Sequence, residues 1–388
     1  MSRRPLLERV VRELAAFERP SASDGERRAA EWIAAELREA GCRGVRVEEE
    51  RAHGGYWWPL GLLNVGALVA ALVGGRRGAA LAGTAAAAAV YDDVGGGRLW
   101  FRRVTLPKRP TWNVVAEAGD PDAKRTVVVL AHHDAPHSGL VFHPALPRIG
   151  MKLFPRLHER AEQGVPILYG PFLGPVLLAL WGLLGARALR AAGSAFTVGA
   201  SAVMANIGAS RVVPGANDNL SAVAVVVALA HSLRQDRPAG VRVLLVSTGS
   251  EESFMEGMQA FAKRHFPALP RETTEFVCLE CVGSPELCVV EGEGMLRMRY
   301  YTGETRERLA RAGRDAGVKL TRGLRTVAAT DALIALRAGY PTCLLGGVDE
   351  TKFPANYHWP SDTPDNLDWD SVEGALRVCE EFVRGRAV

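Results

Sequence analysis

The sequence predicts an α/β fold: a mostly parallel central sheet with helices on both faces, carrying two hydrophobic helical-hairpin insertions. Short apolar runs of strand length at residues 126–131, 241–247, 275–279 and 341–345 alternate with helical patterns at 220–233, 255–265, 303–316 and 329–338. Such alternation is the sequence form of a parallel sheet covered on both sides. Several of the apolar runs end abruptly in His, Asp or Glu, as strands do when they deliver side chains to a crevice at their C-terminal edge. Two further stretches, 56–91 and 164–210, are almost free of charge and rich in Gly and Ala.

In chain order, residues 6–17 have a helical pattern and 20–25, Pro-Ser-Ala-Ser-Asp-Gly, form a turn. Residues 26–40 make an amphipathic helix with Ala30, Ile33, Ala34 and Leu37 on one face, stopped by Gly41. Residues 45–49 alternate like a strand. Strand patterns recur near 99–104 and 113–116, before the run at 126–131. The terminal helix spans 369–384, with Asp368 or Asp370 as its cap. The organisation is then 1–50, 95–143 and 211–388 for one catalytic domain, interrupted by hydrophobic insertions at 51–94 and 144–210.

The insertions are distinctive. Residues 56–75 and 78–91 carry no charge and are separated by Arg76-Arg77; residues 164–186 and 191–210 carry none and are separated by a segment with Arg187 and Arg190. At 1.5 Å per residue, either arm of the second pair is long enough for a hydrocarbon layer of about 30 Å. Membrane association through 56–91 and 164–210 is therefore expected. The alternative is that the arms bury one another in a soluble, cytoplasmic protein. The N-terminus, MSRRPLLERVVRELAAF, is interrupted by Glu8 and Glu13 and does not read as a signal peptide.

Composition narrows the function. The 388 residues are 48% hydrophobic and 23% charged, which favours a large folded core over disorder. The net charge of +4 is scattered, without a basic stripe or nucleic-acid-binding motif, so nucleic acid is not an expected partner. Cys278 and Cys281 form a CxxC, but inside an apolar strand pattern, where small core residues are expected rather than a redox or zinc site.

The polar positions at the ends of apolar runs are His132 with Asp134, Asp218, Glu251-Glu252, Glu280 and His358. Imidazoles and carboxylates make an N/O donor set suited to zinc, manganese or cobalt. His132 and Asp134 are two apart, so on extended chain they point the same way, a metal-binding imidazole with a carboxylate behind it to fix its tautomer. A carboxylate can bridge two ions, and Asp218, opening a helix in Gly-Ala-Asn-Asp-Asn, is the candidate. On a tight turn, one of Glu251 and Glu252 can ligate while the other acts as general base. Glu280 lies in Phe-Val-Cys-Leu-Glu-Cys, where an unpaired acid would be costly. His133 and His137 are expected to line the rim, with extra metal ligation as the alternative, and Trp359 to wall the pocket or anchor by packing.

These residues, in this order, resemble the M28 family of zinc metallopeptidases of aminopeptidase type. The resemblance rests on His132-His133-Asp134, Gly215-Ala216-Asn217-Asp218-Asn219, Glu251-Glu252, Glu280 and Tyr357-His358, and covers roughly residues 1–50 and 95–388 without the insertions. It implies a zinc-peptidase-like fold and two Zn2+ ions, with Mn2+ or Co2+ as substitutes. Asp218 would bridge the ions, Glu252 and His358 would complete one site, and His132 and Glu280 the other. Glu251 would be the general base and Asp134 would orient His132. The implied activity is removal of N-terminal residues, through a metal-bridged water, from peptides with a free N-terminus. The sequence departs from the family pattern in two places: Glu280 stands where many members have Asp, and Ala332 follows Thr330-Asp331 where His is common. The alternatives are a single-zinc glutaminyl-peptide cyclotransferase and a non-catalytic membrane-associated module on the same fold.

Overall fold

The computed structural model describes residues 3–95, 98–162 and 169–385; the opening of the second uncharged run, 164–168, and the chain ends 1–2 and 386–388 lie outside the described residues. Helices α1 (Arg4–Ala15) and α2 (Asp24–Glu39) precede strand β1 (Arg43–Ala52). The first insertion forms α3 (Trp57–Val73) and α4 (Gly75–Val94), followed by α5 (Trp100–Thr105), β2 (Arg109–Gly119) and β3 (Arg125–His132). The second forms α6 (Ala145–Leu153), α7 (Pro155–Arg160), α8 (Tyr169–Leu184) and α9 (Arg187–Ala209). Then come α10 (Ser221–Gln235), β4 (Val241–Thr248), α11 (Glu256–His265), β5 (Thr274–Glu280), β6 (Glu286–Val289), β7 (Gly292–Glu293) and β8 (Arg299–Tyr300). The chain closes with α12 (Gly303–Asp315), α13 (Ala332–Arg337), β9 (Thr342–Val348) and α14 (Trp369–Arg384).

Seven strands form one sheet in the order β1-β2-β4-β3-β5-β9-β6. The pairs β4–β3, β3–β5 and β5–β9 are parallel, and the outer pairs are antiparallel. The parallel centre is buried on both faces, which is why its strands read as continuous apolar runs. On β3, Val127 and Val129 face a core built with Leu7, Ile33, Val225 and Phe382 from the helices on one side. Val128 and Leu130 face the other, with Phe261, Phe276 and Leu333. The terminal helix is capped by Asp368, whose carboxylate accepts from the Ser371 N–H.

One expected strand is wrong. The expected strand near 99–104 is instead helix α5, Trp100–Thr105. The Asp92 carboxylate accepts from the N–H groups of Arg98 and Trp100, at 2.7 and 3.0 Å, and Leu99 adopts a left-handed conformation that starts the turn. The helix turns Arg102 inward, where it is fully buried. It donates to Asp93, to the Ser253 carbonyl at 2.5 Å, and lies 3.5 Å from Glu256. The β-propensity of the aromatic and branched residues is outweighed by this ion pair. Arg102→Met leaves the buried Asp93 without its cation and Glu256 with His53 alone to pair with, and a loss of about 3–5 kcal/mol is expected. A thermal melt in the same buffer checks it; an unchanged melting temperature contradicts it.

Among the described residues, the four uncharged arms form helices. α3, α4, α8 and α9 pack on one another in a bundle whose interior is continuous with the apolar layer on one face of the sheet. By length and composition, two helical stretches among the described residues are able to cross a membrane, Arg187–Ala209 and Ala216–Gln235. The second contains α10 and is 94% buried, a core helix.

Candidate metal centre

The C-terminal ends of the parallel strands converge on one crevice. β3 ends at His132, β4 leads into Glu251-Glu252 and β5 ends at Glu280; the loop after β9 brings in His358. Asp218 sits in the turn just before α10. All of the expected metal-binding side chains therefore meet in space, although they come from distant parts of the chain.

Their geometry is divided about Asp218. One carboxylate oxygen, Oδ1, lies 3.2 Å from His132 Nε2, which is 3.5 Å from Glu280 Oε1. The other, Oδ2, lies 3.2 Å from His358 Nε2, which is 3.4 Å from Glu252 Oε2. His132–Asp218–Glu280 and Asp218–Glu252–His358 each present three donor atoms within 4.8 Å of one another. Glu251 approaches from the side, 3.9 Å from His132 Nε2.

Backbone and second carboxylates hold this arrangement. Asp362 accepts from the N–H groups of Asn217 and Asp218, at 2.6 and 3.1 Å, and fixes the turn. Asn219 donates to the Leu279 carbonyl and to Glu280 Oε2, at 2.9 and 3.2 Å, tying the turn to β5. Asp134 does more than orient one imidazole. It lies 3.3 Å from His132 Nδ1, and it also accepts from Ser21 Oγ at 2.6 Å and from the N–H groups of Glu251 and Glu252 at 3.1 Å. With Nδ1–H held by Asp134, the His132 lone pair at Nε2 faces Asp218 and Glu280, as a ligand requires. The Glu-Glu turn is tight: Ser250, Phe254 and Met255 all have left-handed backbone. Asp134→Asn is expected to lower metal affinity about 10–100-fold; titration with a fluorescent zinc chelator measures it, and wild-type affinity contradicts it.

The electrostatics call for a cation. Asp134, Asp218, Glu251, Glu252 and Glu280 crowd around two imidazoles in a buried space. Burial, against the attraction of His132, pushes Glu251 well above the usual carboxylate range, and Asp331 and Glu280 add to it. Burial and the neighbouring Asp218 do the same to Glu252. Asp218 moves the other way: its hydrogen bonds to His132 and His358 overcome burial and hold it ionised. His132 is raised because the anions Glu251 and Glu280 outweigh its burial. A site that draws protons onto its glutamates and onto His132 carries excess negative charge, which divalent cations on N/O donors neutralise. The residues present thus fit zinc.

Some expectations shift. His133 is not on the rim: it is fully buried beside Ser247 Oγ at 2.9 Å, and burial lowers its pKa to about 3. His137 packs on Trp57, with ring centres 4.5 Å apart. Trp359 packs on His143, while Tyr357, stacked on His358 at 3.9 Å, lines the cavity. Cys278 and Cys281 are buried free thiols in the core.

Two buried groups beside the centre were not assigned to it from the sequence. Arg19 donates to the carbonyls of His133, Pro214 and Gly215, at 2.8, 2.6 and 2.7 Å, and so joins the His132 strand to the Asp218 turn. Asp331 lies under Glu251, bonded to Thr248 through one oxygen; its Oδ1 has no partner among the described residues, and burial raises its pKa to about 7. The motif Thr330-Asp331 was the available signal. Above the centre opens a cavity of about 180 Å³, walled on one side by apolar groups including Val290, Met295, Val327 and Leu344.

Comparison with known proteins agrees with this architecture. The structure is similar to a Zn-dependent exopeptidase from Parabacteroides distasonis, with a TM-score of 0.60 and 15% identity over 99% of this chain and 98% of that one. It is similar to an aminopeptidase from Aneurinibacillus, TM-score 0.58 and 13% identity over 99% and 95%. It is also similar to the glutaminyl cyclase of Tannerella forsythia, TM-score 0.57 and 16% identity over 98% and 97%. No curated protein sequence matches. The sequence model of Peptidase family M28 matches residues 199–383, which carry Asp218, Glu251, Glu252, Glu280 and His358. The fold and this match point the same way: residues 199–383, just under half of the chain, have the sequence pattern of peptidase family M28.

Proposed function

We propose that the protein is a zinc-dependent aminopeptidase with two metal positions that share Asp218. The observation that carries this reading is the split of that carboxylate, one oxygen toward His132 and the other toward His358. His132, Asp218 and Glu280 would hold one cation, and Asp218, Glu252 and His358 the second. Cations held there would supply Lewis acidity toward a scissile carbonyl and an attacking water. Glu251 takes the proton of that water and returns it to the leaving amine; its main chain is held for this by Asp134. Asp134 keeps His132 in the tautomer that leaves Nε2 free. The apolar wall of the cavity receives an uncharged side chain of the substrate.

A second reading, a glutaminyl cyclase, draws support from the likeness to the Tannerella enzyme. There Glu251 would relay a proton between the attacking α-amine and the departing ammonia. One assay separates the two: the zinc-loaded protein is incubated with Leu-, Gln- and N-acetyl-Leu-terminated peptides. Release of free leucine, with no cleavage of the acetylated peptide, is expected. Pyroglutamate from the Gln peptide without amino-acid release would replace the aminopeptidase reading by the cyclase.

A further inference from the structure

The helical bundle carries many of its large apolar side chains on the outside. On α3, Trp58, Leu62, Val65, Val69 and Leu72 form an exposed stripe at helical spacing, and Val73 is 86% exposed. Leu81 on α4, Leu173, Leu180 and Leu184 on α8, and Phe196 and Val198 on α9 extend it to every helix. Inside, beside Leu60, Leu178 and Met204, small residues let the helices meet closely. A Cβ on Gly83 would meet the backbone of α8 at 2.8 Å, one on Gly174 the backbone of α9 at 2.8 Å, and one on Gly182 that of α4 at 2.5 Å. A water-soluble bundle has the opposite pattern. Close backbone packing through small residues, with bulky apolar residues outward, is the arrangement of helices in lipid.

The dimensions and charges agree. The four helices, of 16 to 23 residues, are about 24–35 Å long, the thickness of a hydrocarbon core. Charges occur only at the two ends. Arg76 caps the Gly182 and Leu183 carbonyls, and Arg190 covers Trp181, at the end away from the metal centre. At the near end, Ile207 lines the cavity and Trp57 meets His137.

A strap at that same end continues the apolar surface. Across α6 and α7, Leu146, Ile149, Leu153 and Leu157 are exposed at helical spacing, the last two by 67% and 68%, and Arg148, Lys152, Arg156 and Arg160 stand beside them. The strap is latched to the cavity wall. Lys352 Nζ donates to the carbonyls of His158 and Ala161, at 2.7 and 2.6 Å, and Arg325 pairs with Glu162 at 2.5 Å. Basic residues beside an apolar stripe suit the headgroup layer of an anionic bilayer.

We infer that the bundle α3–α4–α8–α9 is embedded in a lipid bilayer and that α6–α7 lies in its headgroup layer, so that the cavity mouth opens at the membrane surface. A second copy of the chain is the weaker fit, since the apolar surface runs over all four helices rather than one side. The inference is independent of the catalytic reading, because its test reads no activity. Full-length protein is reconstituted in vesicles of phosphatidylcholine and phosphatidylglycerol. Single cysteines replace Val65, Leu180, Leu153 and, as a control on the catalytic domain, Lys124. Co-flotation resistant to alkaline carbonate is expected. Val65→Cys and Leu180→Cys should react with an impermeant maleimide at least about tenfold more slowly than Lys124→Cys until detergent is added. A fluorophore at Leu153→Cys should be quenched by a headgroup-level spin label more than by one at the chain end. Equal labelling of Val65→Cys, Leu180→Cys and Lys124→Cys in intact vesicles would overturn embedding. So would a detergent-free monomer, or a detergent-free oligomer that protects Val65 and Leu180. Absence of quenching at residue 153 would overturn the placement of the strap.

Discussion

Asp218→Ala should remove both cations together and reduce hydrolysis of aminoacyl substrates by about a thousandfold or more. Losing Lewis-acid stabilisation of several kcal/mol has that effect on rate. The reason is the shared geometry: each half of the centre uses one oxygen of the same carboxylate. His358→Ala, by contrast, removes a donor from one half only. Metal content by mass spectrometry and turnover on the same preparations provide the comparison. Chelation should also lower the melting temperature of the wild type, through loss of a ligand that binds the folded state, and leave Asp218→Ala unmoved. A variant that keeps both metals or full activity would contradict the assignment.

Glu251→Gln is expected to retain metal and lose about a hundred- to ten-thousandfold in kcat, the range of a positioned general base. Glu251 stands 3.9 Å from His132 Nε2, farther than Asp218 or Glu280, and its main-chain N–H is held by Asp134. The amide fills the same space but does not accept the proton. Glu252→Gln should behave differently, weakening metal binding in the half that contains His358. Equal loss of metal in both variants would remove the distinction between base and ligand.

The parallel centre of the sheet was legible in the sequence because strands buried on both faces are continuous apolar runs, as in Val127–Leu130. The convergence of the candidate ligands was legible because β3 and β5 end in His132 and Glu280 and β4 leads into Glu251-Glu252. What the sequence hid is tertiary. Strands β6, β7 and β8 are four or two residues long and leave no period to detect. Residues 99–104 carry strand formers, yet the buried pair Arg102–Asp93 selects a helix. Arg19 sits in an ordinary polar turn, and only its carbonyl partners, far away in the chain, give it a role. Asp134 was expected behind His132; its hold on the Glu251-Glu252 turn depends on how β3 and β4 lie side by side.

A pair of metal positions sharing one carboxylate underlies every role proposed for these residues. Zinc-edge anomalous diffraction from zinc-loaded crystals of the full chain tests it most directly. Two peaks about 3.5–4 Å apart, one between His132 and Glu280 and one between His358 and Glu252, with Asp218 reaching both, are the result predicted. A single peak in zinc-saturated crystals, or two peaks that Asp218 does not join, would contradict it.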